Sequence, residues 1–131
     1  MEHGDTVRLG ERPMTALLTP GHTRGCTIWR TTVIENGKPL DVVFLCSVTA
    51  PGYQLVKNEK YPQIMDDYRR SIDRLRRLDP DIFLANHASF FGLSEKREGD
   101  RRGIPSSGRE SWPAIWPKRG RRCRSRRKQG E

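Results

Sequence analysis

The sequence predicts an α/β fold in which a helix covers one face of a sheet. Three observations predict it: short runs of β-branched and apolar residues, one amphipathic helical segment, and the order strand, strand, strand, helix, strand along the chain. In this order the helix buries its apolar side on the sheet and leaves its polar side in water. The chain has 131 residues, which is enough for one modest domain.

Composition identifies the first three strands. Residues 6–18 are interpreted as one strand, with an apolar second half. Residues 27–34 are rich in β-branched side chains, which fit the pleated surface of a sheet. Residues 41–46 form a short apolar run and are interpreted as a buried strand. Between the last two strands stands Asn36-Gly37, the strongest short signal of a hairpin turn.

A helix is predicted over residues 63–78, after a long loop over residues 47–62. Its apolar residues recur every three or four positions and form one stripe, while its other face is charged. The stripe consists of Ile64, Tyr68, Ile72 and Leu75. Asp79-Pro80 ends the helix, and residues 81–85 are interpreted as a further buried strand.

The charge of the chain divides it into two segments. Residues 1–100 carry 14 basic and 14 acidic side chains, whereas residues 101–131 carry 11 basic and 2 acidic ones, which accounts for the whole net charge of +9. The second segment has too few apolar residues to offset its ordering entropy, so it is predicted to be a disordered basic tail. A specific nucleic-acid partner is not expected, because no binding fold accompanies the basic residues.

The cysteines and the first residues of the chain indicate the cellular compartment. Cys26, Cys46 and Cys123 show no Cys-x-x-Cys spacing, so we expect no disulfide framework and at least one free thiol. No apolar run reaches the roughly 18–20 residues of a membrane span. The first residues are polar and unlike a signal peptide, so the chain as given is expected to be cytoplasmic, without a membrane partner.

Two histidines are candidate metal ligands. His22 and His87 each follow an apolar strand at the start of a loop, where α/β folds place functional groups, whereas His3 lies in a polar terminus. Imidazole is a common zinc ligand. Two histidines alone do not make a site, because a catalytic zinc takes about three protein ligands and a water.

Three segments resemble the third subclass of the class B (zinc) metallo-β-lactamases. They are Thr19-Pro20-Gly21-His22-Thr23-Arg24-Gly25, then Ser47-Val48-Thr49-Ala50-Pro51-Gly52-Tyr53, and then the run from Tyr61 through Asp66-Asp67-Tyr68 to Ser71, which Asn86-His87 follows. The resemblance covers roughly residues 6–97. It implies that this chain is the C-terminal half of the αβ/βα sandwich of that family.

The resemblance also implies a function and a site. His22 matches a ligand of the first of two zinc ions and His87 a ligand of the second, while Ser47 and Thr49 match hydroxyls near the substrate carboxylate. The implied reaction is hydrolysis of the β-lactam amide by zinc-bound hydroxide, with no protein nucleophile. It implies a β-lactam antibiotic as substrate, a role in antibiotic resistance, and a periplasmic or secreted location.

The sequence also departs from the family. It contains no His-x-His-x-Asp-His motif, so one ligand per metal remains, and a separate N-terminal half is an expected partner. The segment after about Gly103 has the composition of an out-of-frame product, although it is also compatible with a genuine basic tail. A thioesterase or lactonase of the same superfamily and an inactive fragment are competing interpretations of the whole chain. The chain by itself is expected to show no activity.

Overall fold

A mixed sheet and two helices make up most of the described chain. The computed structural model describes residues 1–101, without the side chains of residues 99–101. The sheet has five strands in sequence order. Their bounds are β1 Thr6–Leu9, β2 Arg12–Leu18, β3 Thr27–Glu35, β4 Lys38–Leu45 and β5 Ile82–Ala85. The helices are α1 Ile64–Arg77 and α2 Leu93–Arg101, and a short 3₁₀ turn spans Ala88–Phe90.

The strand directions follow from the connections. Strands β1 to β4 pair antiparallel. Two-residue turns join β1 to β2 and β3 to β4, and a loop over residues 19–26 joins β2 to β3. Strand β5 pairs parallel with β4, with Val43 opposite Phe83. A parallel pair needs a long crossover between its strands, and here the crossover contains α1. Strands β2, β4 and β5 therefore run in the same direction and end at one edge of the sheet.

The hydrophobic core lies on one face of the sheet. Successive residues of a strand point to opposite faces, so Val43 and Leu45 of β4 share a face with the paired Phe83 of β5. The buried cluster on this face comprises Ile28, Val43, Leu45, Leu75, Phe83 and Phe91. Leu75 brings α1 into the cluster, so burial of apolar surface attaches the helix to the sheet.

The structure confirms the α/β fold and several predicted elements. The helix expected over residues 63–78 begins at Ile64 and ends at Arg77, with Gln63 and Leu78 as its flanking cap residues. The strands expected over residues 27–34 and 81–85 form within one residue of their predicted bounds.

One expectation is wrong, and one helix was not predicted. Residues 6–18 form a hairpin rather than one strand, because Gly10 adopts a φ of +61° and reverses the chain between Leu9 and Arg12. Helix α2 was not predicted from the sequence.

The predicted basic tail, residues 101–131, lies outside the described residues apart from Arg101. Within the described residues, no helix has the length and apolar character needed to cross a membrane.

Candidate metal and substrate site

The predicted site residues all follow strand ends at one edge of the sheet. His22 lies in the loop between β2 and β3, Ser47 and Thr49 follow β4, and His87 follows β5. These loops meet at one edge because β2, β4 and β5 run in the same direction. The backbone N–H of Asn86 donates to the carbonyl oxygen of Leu45 at 3.3 Å and continues the parallel pairing up to His87.

His22 is held in a defined orientation by the backbone of Thr49. Its Nδ1 lies 2.8 Å from the carbonyl oxygen of Thr49. A carbonyl oxygen can only accept a hydrogen bond, so Nδ1 carries the proton and Nε2 keeps a free lone pair. Metal-bound histidines in proteins commonly show this arrangement, in which a hydrogen bond from the other ring nitrogen fixes tautomer and orientation.

Ser47 and Thr49 form a pair of hydroxyls beside this imidazole. The two hydroxyl oxygens are 3.1 Å apart, and the backbone N–H of Thr49 donates to Ser47 Oγ at 3.3 Å. Ser47 is 4% exposed, whereas Thr49 is exposed and its Oγ1 lies 3.5 Å from His22 Nδ1. The pair can therefore present a hydrogen-bonding group to solvent or to a ligand next to His22.

His87 is exposed and has a different environment. Its ring meets that of Phe90 edge to face, with the centroids 5.0 Å apart. The structure thus joins His22, Ser47 and Thr49 by direct contacts. It places His87 at the same sheet edge, two residues beyond β5, against Phe90.

The donors present do not complete a metal site. Zinc accepts imidazole nitrogen, and the free Nε2 of His22 suits it. However, the described residues hold no group of three or more His, Cys, Asp or Glu side chains that could bind a metal ion. A catalytic zinc needs about three protein ligands. The two candidate histidines are therefore fewer than the protein ligands that a catalytic zinc takes.

A charged network connects the His22 loop to the start of α1. The guanidinium of Arg24 lies 4.7 Å from the ring centroid of Tyr61 and donates to the carbonyl of Lys60. Tyr61 and Arg70 both donate hydrogen bonds to the Asp67 carboxylate, which is buried. The His22 loop is thereby fixed to the residues around the start of α1, which lie about 36 positions further along the chain.

This network shifts two pKa values. Burial of Asp67 would raise the pKa of its carboxyl group, but the hydrogen bonds from Tyr61 and Arg70 outweigh burial and hold that pKa below its usual value. Burial and the hydrogen bond to Asp67 raise the pKa of Tyr61 to about 12. Asp67 therefore stays ionised and Tyr61 stays neutral around pH 7.

Tyr53 is a candidate site residue to which sequence reasoning assigned no role. Its ring centroid lies 6.3 Å from that of His22, and the residue is 44% exposed. The signal was its place in the Ser47–Tyr53 segment, within six residues of the predicted hydroxyls. An exposed phenol at this position can contact a ligand that occupies the site.

A disulfide bond joins Cys26 to Cys46, so the expectation about the cysteines is wrong for this pair. The antiparallel register places Leu18 opposite Thr27, and thus brings Cys26 to the sheet edge where β4 ends. Pairing across strands, rather than spacing in the sequence, creates the proximity of the two sulfurs. The bond links the end of the His22 loop to the residue that precedes Ser47.

Solved metallo-β-lactamases share this fold. Native FEZ-1 from Legionella gormanii is 39% identical with a TM-score of 0.76, over 85% of this chain and 45% of that chain. BJP-1, a subclass B3 enzyme of Bradyrhizobium japonicum, is 36% identical with a TM-score of 0.75, over 82% and 40%. A metallo-β-lactamase from Cronobacter sakazakii is 36% identical with a TM-score of 0.73, over 82% and 40%. No protein-family model matches the chain.

The likeness extends over most of this chain but over less than half of each relative. The chain therefore has part of the fold of the class B3 metallo-β-lactamases and spans less than half the length of these solved enzymes.

Proposed function

We propose that this chain forms one side of the active site of a zinc-dependent β-lactamase. His22 and His87 each supply one ligand, to the first and the second of two zinc ions respectively. The observation that carries the proposal is the hydrogen bond from His22 Nδ1 to the Thr49 carbonyl, which leaves Nε2 free at the edge that His87 shares.

The other named residues take roles on the substrate. The Ser47 and Thr49 hydroxyls, 3.1 Å apart, can donate hydrogen bonds to the carboxylate of a β-lactam antibiotic. The exposed phenol of Tyr53 flanks the same position and can donate a further hydrogen bond to the substrate. Hydrolysis of the antibiotic by the complete enzyme would confer resistance.

The remaining zinc ligands come from a second polypeptide segment, which carries a His-x-His-x-Asp-His motif. The ligand count supports this, because the described residues hold no group of three metal-binding side chains. The sheet supports it as well. Phe44 of the interior strand β4 is 37% exposed on the face opposite Val43, in a cross-strand row with Trp29 and Leu84. An apolar row on this face suits packing against a second layer.

The disulfide supports a location outside the reducing cytoplasm. Disulfide bonds such as Cys26–Cys46 persist in the periplasm or after secretion, whereas cytosolic thiols are kept reduced. The complete protein is accordingly proposed to act in an oxidising compartment, in contrast to the expectation for the chain as given.

Reconstitution tests the proposal. The chain is mixed with a segment of a class B3 relative that carries the His-x-His-x-Asp-His motif, zinc is added, and hydrolysis of a chromogenic cephalosporin is followed. The chain alone should show no turnover above background, and the mixture should hydrolyse the substrate. A matched chain with His22→Ala and His87→Ala should stay silent in the mixture, whereas His3→Ala should behave like the parent.

The outcomes separate the competing functions. Turnover of a thioester or a lactone without turnover of any β-lactam would replace the proposed substrate by one of these. Equal turnover by the parent and by the double variant would refute the roles of His22 and His87. Turnover by the parent chain alone, lost in the double variant, would show that the chain completes its own ligand set.

A further inference from the structure

Helix α1 fixes the backbone of the loop that carries His22. Side chains three positions apart on one face of α1 donate hydrogen bonds to the segment that precedes His22. Ser71 Oγ donates to the carbonyl oxygen of Pro20 at 2.6 Å, and the Arg74 guanidinium donates to that of Leu18. The carbonyl oxygens of Leu18 and Pro20 therefore accept hydrogen bonds from side chains of the helix.

Tyr68 stands at the end of this row and contacts the surroundings of His22 from two directions. Its ring lies against Gly21, where a Cβ would come within 2.9 Å of the ring atoms. Gly21 has a φ of +144°, which side-chain-bearing residues rarely adopt. The Tyr68 hydroxyl donates to the carbonyl oxygen of Thr49 at 2.6 Å.

The Thr49 carbonyl oxygen therefore accepts two hydrogen bonds, one from Tyr68 and one from His22 Nδ1 at 2.8 Å. A carbonyl oxygen has two lone pairs and can accept both. Tyr68 is 8% exposed, so its hydroxyl is held in place by packing. Burial, and to a lesser degree the nearby Tyr53, raise the pKa of Tyr68, so the hydroxyl keeps its proton and remains a donor.

We propose that Tyr68 is a positioning residue for His22: it fixes the Thr49 carbonyl that selects the Nδ1–H tautomer and directs Nε2 away from the protein. Its ring also supports Gly21, the residue from which the His22 backbone continues. This inference rests on the proposed function, because the orientation of Nε2 matters for catalysis only if His22 binds zinc. The tautomer itself, however, is a property of this chain without metal.

Long-range ¹H–¹⁵N NMR of the imidazoles in the metal-free chain tests the proposal. At alkaline pH, where histidine is neutral, His22 of the parent should show a protonated Nδ1 and an unprotonated Nε2. In Tyr68→Phe, the ratio of the Nδ1–H to the Nε2–H tautomer should fall about five-fold, the effect of losing about one neutral hydrogen bond in favour of the Nδ1–H tautomer. The ¹⁵N shifts of the two nitrogens should then move towards each other.

Tyr61→Phe is the matched control. It also removes a phenol hydroxyl close to α1, but that hydroxyl donates to Asp67 and not to Thr49. The control should leave the His22 tautomer ratio unchanged even where it lowers the unfolding temperature. An unchanged ratio in Tyr68→Phe, or an equal change in both variants, would overturn the proposal.

The parent chain provides a test that needs no variant. The Tyr68 hydroxyl proton should be protected from solvent exchange and should give a cross-peak to Hδ1 of His22, because both protons point at one oxygen. Absence of this cross-peak, or an Nε2–H tautomer of His22 in the parent, would refute the role of Tyr68. Neither measurement involves zinc or a β-lactam. Failure of the proposed function would therefore leave these results unaffected.

Discussion

Removal of the Cys26–Cys46 disulfide should destabilise the described domain substantially. The two cysteines are 20 positions apart, so the bond closes a loop of moderate size in the unfolded chain. Chain-entropy arguments for a loop of this length give a loss of about 3 kcal/mol in the free energy of unfolding. This loss is a large fraction of the ~5–15 kcal/mol that stabilises an ordinary domain.

Urea unfolding measures the effect. The double variant Cys26→Ala with Cys46→Ala is compared with the parent, both in a Cys123→Ala background so that the third thiol cannot exchange. With a dependence on urea of about 1–3 kcal/mol per molar, the midpoint should fall by at least about 1 M. Adding a reductant to the parent should reproduce most of this shift.

The reasoning fails if the double variant and the parent unfold at the same urea concentration. It also fails if the reductant leaves the parent unchanged while intact protein mass shows the bond reduced. Equal stability would mean that the structure of the unfolded state, or relaxation of the folded one, cancels the entropy of loop closure. If the reductant lowers the urea midpoint of the parent but the double variant keeps the midpoint of the oxidised parent, the loss of stability comes from the buried free thiols and not from the missing bond.

Further predictions concern single residues. Gly21→Ala should lower the free energy of unfolding by about 2 kcal/mol or more, measured by thermal or urea unfolding, because φ +144° strains alanine and its Cβ meets Tyr68. The pKa of Asp67 is lower in the fold than its value of about 3.9 in the unfolded chain. Ionised Asp67 therefore stabilises the fold above about pH 3.9, and this stabilisation is lost as the pH falls through the folded-state pKa. Asp67→Asn should therefore flatten the acid side of a stability-against-pH curve, and an unchanged slope would contradict the network. The pKa of Tyr61 is raised from about 10 in the unfolded chain to about 12 in the fold. The free energy of unfolding should therefore fall as the pH rises from about 10 to 12, and Tyr61→Phe should not show this fall.

The sequence was informative wherever the signal is local. The stripe from Ile64 to Leu75 and the stop at Asp79-Pro80 predicted α1 almost to the residue, because periodicity and breakers act within one segment. The hairpin in residues 6–18 was missed because a lone Gly10 is a weak turn signal. Register then depends on pairing such as Leu9 with Arg12, which no local pattern encodes.

The candidate site residues could be proposed from the sequence, but the contacts between them could not. His22, Ser47, Thr49 and His87 could be selected from their motifs. The bond between His22 Nδ1 and the Thr49 carbonyl joins residues 27 positions apart and depends on backbone geometry. The Cys26–Cys46 bond was missed for the same reason, since sheet register creates it.

The same limit applies to Tyr68. In the sequence it appears as one member of the apolar stripe of α1, indistinguishable from a core residue. Only the fold shows that its hydroxyl reaches the carbonyl on which His22 depends.

The measurement that tests the central claim most directly is the zinc content of the reconstituted protein. Native mass spectrometry would count the zinc ions bound by the chain together with a class B3 segment carrying the His-x-His-x-Asp-His motif. We predict two zinc ions with the parent chain and one with either His22→Ala or His87→Ala, because each histidine is proposed to complete a different ion. Two zinc ions in both single variants, or none with the parent, would contradict the account.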